Sequence, residues 1–351
     1  MEDDYDIDRY VAGGVSGKVF QGHCKSDGKI VAIKSIQLKY TQKELYKRIY
    51  REICILKHLN SDFTLTLWDI YGKYEDEELM ELCLIMPFME YDLKTIINKF
   101  KLEYQQIIQI SFQLLMGLKY LNESGIIHRD LKPGNIGINK DMKLRILDFG
   151  LARDKQDDLT EYVVTRWYRP LEVFCTSQYT MAVDMWSAGC IIVELFTGKV
   201  LFPGKSQIDQ CLSILKIMGW PSTEMLDKMN NKDSVLGLEL YKDFAAKSNQ
   251  LLAVIEKPIK NFEEESNGRS EFSSFATRLI FKMLELDPDK RISPKEALNS
   301  DLFTKLASCT SSYTESGCAH EFKVNCFPDS EDVENWKENI LKEIESFLPR
   351  N

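Results

Sequence analysis

The stretch from His128 to Gly150 constrains this chain more than any other. It reads His128-Arg129-Asp130-Leu131-Lys132-Pro133-Gly134-Asn135, then twelve residues, then Asp148-Phe149-Gly150. Ile136 and Ile138 alternate with Gly137 and Asn139. After the turn-like Asn139-Lys140-Asp141, the residues Lys143, Leu144, Arg145 and Ile146 again alternate polar and apolar. This pattern predicts a β-hairpin of two short, half-buried strands. A hairpin brings its ends together, and here the ends are Asn135 and Asp148. An amide oxygen beside a carboxylate suits Mg²⁺, which keeps several waters and completes its shell from phosphates. Asp130 adds a carboxylate on a loop that could serve as a base, and Lys132 adds a cation that could meet a phosphate.

These residues resemble the catalytic loop H-R-D-L-x-x-x-N and the metal-binding D-F-G of protein kinases. Either triplet alone is compatible with chance. Both together, in this order and bracketing a hairpin, carry the resemblance, because a motif counts only in its structural context.

The chain has 351 residues, more than one core usually holds, so two lobes are expected. Its net charge of −9 argues against generic nucleic-acid binding, which needs a basic surface. Nine cysteines without a C-x-x-C pair, and only four histidines, argue against a disulfide framework or a zinc site and for a reducing intracellular compartment. The acidic start Met1-Glu2-Asp3-Asp4 lacks the apolar core of a signal peptide, and Glu2 excludes myristoylation. The longest apolar run, Ala188 to Phe196, is interrupted by Glu194 and is too short to span a bilayer. No membrane partner is expected.

The first 85 or so residues read as a small β-rich lobe with one helix. Tyr10-Val11 and Val19-Phe20 flank the glycine-rich Ala12-Gly13-Gly14-Val15-Ser16-Gly17-Lys18. A plain hairpin turn explains this segment as well as a phosphate-covering loop does. The resemblance implies the latter, with Val11 to Val19 over the ATP phosphates and Ala12 in place of the first family glycine. Val31-Ala32-Ile33-Lys34 resembles the kinase V-A-I-K. A lysine on such an apolar strand needs an anionic partner. Thr41-Gln42-Lys43-Glu44 has capping-box spacing, and Leu45, Ile49, Ile53 and Leu56 form a helical stripe. Beside that stripe lies Glu52, either an exposed helix charge or, as the resemblance implies, the partner of Lys34. Leu82-Cys83-Leu84-Ile85 reads as a buried strand. By resemblance Met86 is the gatekeeper, Pro87, Phe88 and Met89 line the adenine, and Ala32 and Asp92 complete the nucleotide contacts.

Beyond residue 91 the pattern turns helical. Ile107, Ile108, Phe112, Leu115, Leu118 and Leu121 give Tyr104 to Asn122 a broad apolar face, which Gly125 punctuates. Asp184 and Trp186 read as structural residues of a central helix. Arg291, in Asp287-Pro288-Asp289-Lys290-Arg291, resembles the arginine that pairs with the glutamate of A-P-E, which here reads Pro170-Leu171-Glu172. Glu263-Glu264-Glu265 reads as a solvated loop.

The segment from Leu159 to Arg169 resembles the activation lip of a mitogen-activated protein (MAP) kinase. Thr160-Glu161-Tyr162 matches the T-E-Y of the extracellular-signal-regulated branch. Phosphates on Thr160 and Tyr162 would add about −3 to −4 charges and need cationic sockets. Arg48, Arg51, Arg129 and Arg153 match family positions around the phosphothreonine, and Arg166 and Arg169 match those near the phosphotyrosine. After Phe303 an extension ends in a helix capped by Ser330, with Val333, Trp336, Ile340, Ile344 and Phe347 on one side. The family's acidic docking patch is missing from Ser308 to Cys318, where Glu315 stands alone.

The sequence is therefore expected to adopt an α+β, two-lobed protein kinase fold: a small lobe at 1–88, a helical lobe at 89–308, and an extension at 309–351 packing back on the small lobe. The resemblance implies a proline-directed Ser/Thr kinase using ATP and Mg²⁺. Its catalytic residues would be Asp130, Lys132, Lys34 and Glu52, and Asn135 and Asp148 would be the metal ligands. Implied partners are protein substrates with Ser/Thr-Pro sites, an upstream dual-specificity MAP kinase kinase and phosphatases. The protein is expected to be a monomer, cytoplasmic, with the nucleus also open to it. A cyclin-dependent-type kinase and a catalytically dead scaffold are the alternatives, the second opposed by six intact catalytic positions.

Overall fold

The structure is a computed structural model. It describes residues 1, 3–14, 17–38, 43–76, 78–154, 166–175, 180–229, 237–245, 247, 249–265, 272–304, 321–322 and 333–347. Strands β1 (Tyr5–Gly14), β2 (Gly17–Cys24), β3 (Ile30–Gln37), β4 (Asp69–Glu75) and β5 (Glu78–Pro87), with helix α1 (Lys43–His58) between β3 and β4, build the first layer. The strands form one antiparallel sheet in the order β1-β2-β3-β5-β4. Side chains alternate across a strand, so apolar residues in succession cover both faces. Val31, Ile33, Cys83 and Ile85 pack together on one face. Ile36, Leu82, Leu84 and Met86 join Ile49, Ile53 and Leu56 of α1 on the other. Lys34 shares the parity of Ala32 and Ile36 and so points to the α1 face. The capping residues Thr41 and Gln42 lie outside the described residues.

A two-residue strand β6 (Tyr91–Asp92) leads into α2 (Leu93–Lys99), α3 (Tyr104–Glu123) and β7 (Ile126–Ile127). Helix α3 stops where Gly125 takes a left-handed φ of 75°, which glycine adopts without strain. The hairpin follows as β8 (Ile136–Ile138) and β9 (Leu144–Ile146), with Ile136 paired to Ile146. The short strand β10 (Arg153–Asp154) pairs with β7. Beneath them runs α4 (Ala182–Thr197), buried from Val183 to Phe196, around which the second lobe is assembled.

Helices α5 (Gln207–Met218), α6 (Thr223–Lys228), α7 (Leu251–Glu265), α8 (Phe272–Met283), α9 (Pro294–Leu298) and α10 (Asp301–Thr304) complete this lobe. The expected loop at Glu263-Glu264-Glu265 is instead the last turn of α7. Leu251, Ile255 and Ile259 are buried at helical spacing, and their packing carries the helix on past Pro258. The Arg291 guanidinium grips Glu172 at 2.7 and 3.3 Å and donates to the carbonyls of Ala182, Glu285 and Leu286. Leu171, where the A-P-E pattern has proline, is fully buried in a cluster with Phe174, Leu215 and Met225. Arg291→Ala should destabilise the protein by about 3–5 kcal/mol, because Glu172 would remain buried without its charge partner. A denaturant-unfolding loss under about 1 kcal/mol would show that the pair is dispensable.

The last helix, α11 (Val333–Phe347), returns to the first lobe and lies against α1 and β4. Trp336, Ile340 and Ile344 are buried there, with the Trp336 ring edge-on to Tyr50 at 5.7 Å and Lys57 bonded to Glu343 at 2.7 Å. Phe322 packs edge-on to His58 at 5.1 Å and donates its N–H to the Ser124 carbonyl at the end of α3. Ser330 and the stretch Ser308 to Cys318 lie outside the described residues.

Candidate active site

A cleft of about 560 Å³ opens between the sheet and the helical lobe. Of the expected nucleotide residues, Val11, Ala12, Gly13, Gly14, Gly17, Val19, Ala32, Lys34, Met86, Pro87, Phe88, Met89 and Asp92 line it. Lys18 is exposed and does not line it, because alternation on β2 turns it away from Val19. Val15 and Ser16 lie outside the described residues. Gly17 has a φ of 123°, and a side chain there would meet the Ser35 carbonyl at 2.5 Å. Sequence reasoning missed Leu56, Leu65, Glu90, Tyr91, Thr95, Gly134 and Leu147 as lining residues. Thr95 was the most accessible of these, since Asp92 caps α2 by accepting its N–H at 2.6 Å.

Deeper in the cleft, Lys34 Nζ meets Glu52 Oε1 at 2.6 Å, with both side chains almost wholly buried. Burial alone would lower the Lys34 pKa, but Glu52 and Asp148 outweigh it and hold the ammonium above its ordinary value. The exposed-charge alternative for Glu52 is thereby set aside. The pair is already closed in this structure, with the two side chains in direct contact.

The hairpin sets Asn135 beside Asp148, and Leu147 N–H donates to the Asn135 carbonyl at 2.8 Å. Asn135 Nδ2 donates to the Asp130 carbonyl at 2.8 Å and to its carboxylate at 2.9 Å, which leaves the amide oxygen as a hard donor. Lys132 Nζ approaches the same Asp130 carboxylate at 2.5 Å. Burial is the largest influence on Asp148 and would raise its pKa. Lys34, His128, the Gly150 N–H and Lys132 together overcome it and keep the carboxyl below its ordinary value. Asp148 thus presents an ionised carboxylate to the cleft. Among the described residues no group of three or more His, Cys, Asp or Glu could hold a metal alone. Asn135 and Asp148 fit Mg²⁺ if water and phosphate oxygens supply the rest.

The loop carrying Asp130 is fixed from below. Asp184 on α4 accepts the N–H groups of His128 and Arg129 at 2.7 and 2.9 Å. The His128 ring links the Leu147 carbonyl to the Asp130 N–H. Arg129 and Asp148 have left-handed φ values of 69° and 57°, strain that non-glycine residues tolerate only where surrounding bonds enforce it.

Of the expected phosphate sockets, Arg48 donates to the Gly150 carbonyl at 3.3 Å and Arg51 is buried on the same helix. Arg129 sits beside Asp130. Arg166 and Arg169 share a turn in which Arg169 N–H donates to the Arg166 carbonyl at 3.0 Å. Thr160 and Tyr162, and the side chain of Arg153, lie outside the described residues. Tyr168, on the same segment as Arg166, donates to Glu194 at 2.7 Å, and its carbonyl accepts from Ser187.

The protein kinase domain family matches residues 5–303. The chain is 37% identical over 342 residues to mitogen-activated protein kinase 13 of Homo sapiens, a match covering 97% of this chain and 88% of that protein. The chain belongs to the MAP kinases. Mitogen-activated protein kinase 12 of Mus musculus is 36% identical over 346 residues, covering 97% of this chain and 88% of that protein. Mitogen-activated protein kinase p38b of Drosophila melanogaster is 34% identical over 344 residues, covering 97% and 89%. This MAP kinase is an ATP-binding serine/threonine protein kinase with the two-lobed fold of its family. No described helix is long and apolar enough to cross a membrane.

Proposed function

We propose that this kinase phosphorylates Ser or Thr followed by proline, and that phosphorylation of Thr160 and Tyr162 switches it on. One observation carries the catalytic reading: the Asp130 carboxylate is held by Lys132 and Asn135 beside the ionised Asp148. The substrate hydroxyl oxygen attacks the γ-phosphorus of ATP, the bond to ADP breaks, and the hydroxyl proton passes to Asp130. Lys132 leaves Asp130 to meet the transferring phosphoryl group. Lys34, aimed by Glu52, holds the α- and β-phosphates. Asn135 and Asp148 would hold Mg²⁺, which neutralises charge on the phosphate oxygens. Positioning and fixed charge supply most of the rate.

Proline specificity suits a pocket that offers no acceptor, because proline brings no N–H that would be left unpaired. The tie of Tyr168 to Glu194 and Ser187 supports a firm wall for that pocket. The lip sequence Thr160-Glu161-Tyr162 favours the extracellular-signal-regulated branch, while the Drosophila relative carries p38 in its name. Partners in this reading are Ser/Thr-Pro protein substrates, an upstream dual-specificity MAP kinase kinase and phosphatases. The protein acts as a monomer in the cytoplasm, with access to the nucleus.

Since Lys34 and Glu52 are already paired, the phosphates serve chiefly to order the lip and shape the substrate pocket. Activity on a Ser/Thr-Pro peptide library should rise at least about a hundredfold on double phosphorylation, in line with charge-assisted ordering of a segment by several arginines. Thr160→Ala and Tyr162→Phe should each remove most of that gain. Equal activity of the unphosphorylated, singly and doubly phosphorylated forms would defeat the switch.

A further inference from the structure

Phe88, Met89 and Glu90 join β5 to β6 and lie outside both strands, so no ladder of their own fixes their geometry. The β8–β9 hairpin fixes it from outside. Glu90 N–H donates to Asn139 Oδ1 at 2.9 Å, and Lys140 N–H donates back to Glu90 Oε2 at 2.7 Å. Asn139 is itself held in the turn. Its N–H donates to the Lys143 carbonyl at 3.0 Å, and its carbonyl accepts from Met142 N–H at 2.9 Å. Lys140 Nζ also stands 3.4 Å from Glu90, but its side chain is 73% exposed, and a surface pair of that kind contributes little.

The residues on either side are anchored to the same hairpin. Met89 lies over Gly137 of β8, where an added Cβ would meet Met89 Cγ at 2.6 Å and Cβ at 2.7 Å. Tyr91 and Asp92 pair with Ile138 and Gly137. The hairpin thus holds the β5–β6 connection near its turn and carries Asn135 and Asp148 at its two ends.

This clamp limits what the connection can offer a base. Pro87 has no N–H. Glu90 spends its own on Asn139. Along Pro87 to Glu90, a purine can therefore draw backbone donors only from Phe88 and Met89. A trans peptide is planar, with its N–H and C=O pointing opposite ways, so holding the Glu90 N–H also sets the direction of the Met89 carbonyl. Asn139 does this without lining the cleft.

We propose, on the reading that Phe88 and Met89 contact the base, that Asn139 is a positioning residue for ATP. By holding the Glu90 N–H it fixes the Met89–Glu90 peptide, and with it the edge that receives the adenine.

Asn139→Leu keeps the volume and removes the acceptor, Asn139→Ala removes it without adding apolar surface, and Asn139→Asp keeps an acceptor oxygen. In the Leu and Ala variants the KM for ATP should rise about three- to tenfold, the range of one net hydrogen bond, with kcat within about twofold and the peptide KM unchanged. Adenosine, ADP and ATP should lose affinity by the same factor, with and without Mg²⁺, because the change lies at the adenine end. Asn139→Asp should stay within about twofold of the wild type, since a carboxylate accepts at least as well as an amide. Hydrogen exchange of the Glu90 amide should quicken in the Leu and Ala variants and stay slow in Asn139→Asp. Thermal unfolding should change little, because backbone bonds hold the turn.

Adenosine should also shift the Phe88 and Met89 amide signals of the wild type. No shift would take the base away from this segment and overturn both the underlying reading and the role of Asn139. With the shift present, three results would overturn the role alone. One is a wild-type KM for ATP in the Leu and Ala variants. Another is a loss of affinity confined to Mg²⁺-ATP, which would place the effect at Asn135 and Asp148. The third is an Asp variant as impaired as the Leu variant.

Discussion

Asp130→Ala is expected to leave ATP bound and to slow phosphoryl transfer by about a hundred- to ten-thousandfold, the range that general-base groups contribute. Asp130 touches neither the glycine-rich strands nor the residues Met86 to Met89, so nucleotide affinity should change by less than about threefold, a fraction of the 1.4 kcal/mol that a tenfold change represents. Its carboxylate instead organises Lys132 and Asn135, which both bond the same oxygen. The loop backbone should persist without it, because Asp184 and His128 hold that backbone independently. Asp130→Asn separates shape from basicity: it keeps a polar side chain of the same size but cannot take the proton. Single-turnover measurements with bound ATP, beside nucleotide titration, are the readout. Lost affinity with preserved turnover of bound ATP would remove Asp130 from the chemical step.

Asp148→Asn is expected to reduce turnover at physiological Mg²⁺ by about a hundredfold or more, comparable to removing one preorganised charge-stabilising group. The side chain is held among Lys34, His128 and Lys132, so the neutral amide loses the charge that makes this position a strong ligand. Its volume is unchanged and Lys34 keeps Glu52, so folding should survive. Raising Mg²⁺ should recover part of the rate, which a purely structural defect would not allow. The variant should also alter acid stability. The folded pKa of Asp148 lies below its ordinary 3.8. Its charge therefore supports the folded state above that value, and the support is lost as pH falls through the lower folded value. Without the carboxylate, the acid limb of the stability profile should be shallower. Wild-type-like turnover in Mg²⁺-ATP would end the metal-ligand assignment.

What the sequence determined by itself is local. The hairpin Ile136–Ile146 was legible because alternation and a short polar turn specify pairing within a dozen residues. Helix α3 was legible in its apolar period and in the glycine beyond its end. Helix α7 was not fully legible: three successive glutamates read as loop, and only the packing of Leu251, Ile255 and Ile259 shows that the helix continues through them. The candidate site divides in the same way. Asp130, Lys132 and Asn135 lie within one short segment and could be placed together from spacing alone. Leu171 gave no local sign that a core cluster would receive it. Lys34 and Glu52, 18 positions apart, had a matching strand and helix but no local rule that brings them together; the sheet and α1 had to pack first. Asp184 and His128 are 56 apart, and Arg291 and Glu172 are 119 apart. Backbone hydrogen bonding and side-chain period act over a few residues and leave their mark on the order of the chain. Ion pairs between buried side chains form only where burial has excluded water, and that is a property of the assembled core.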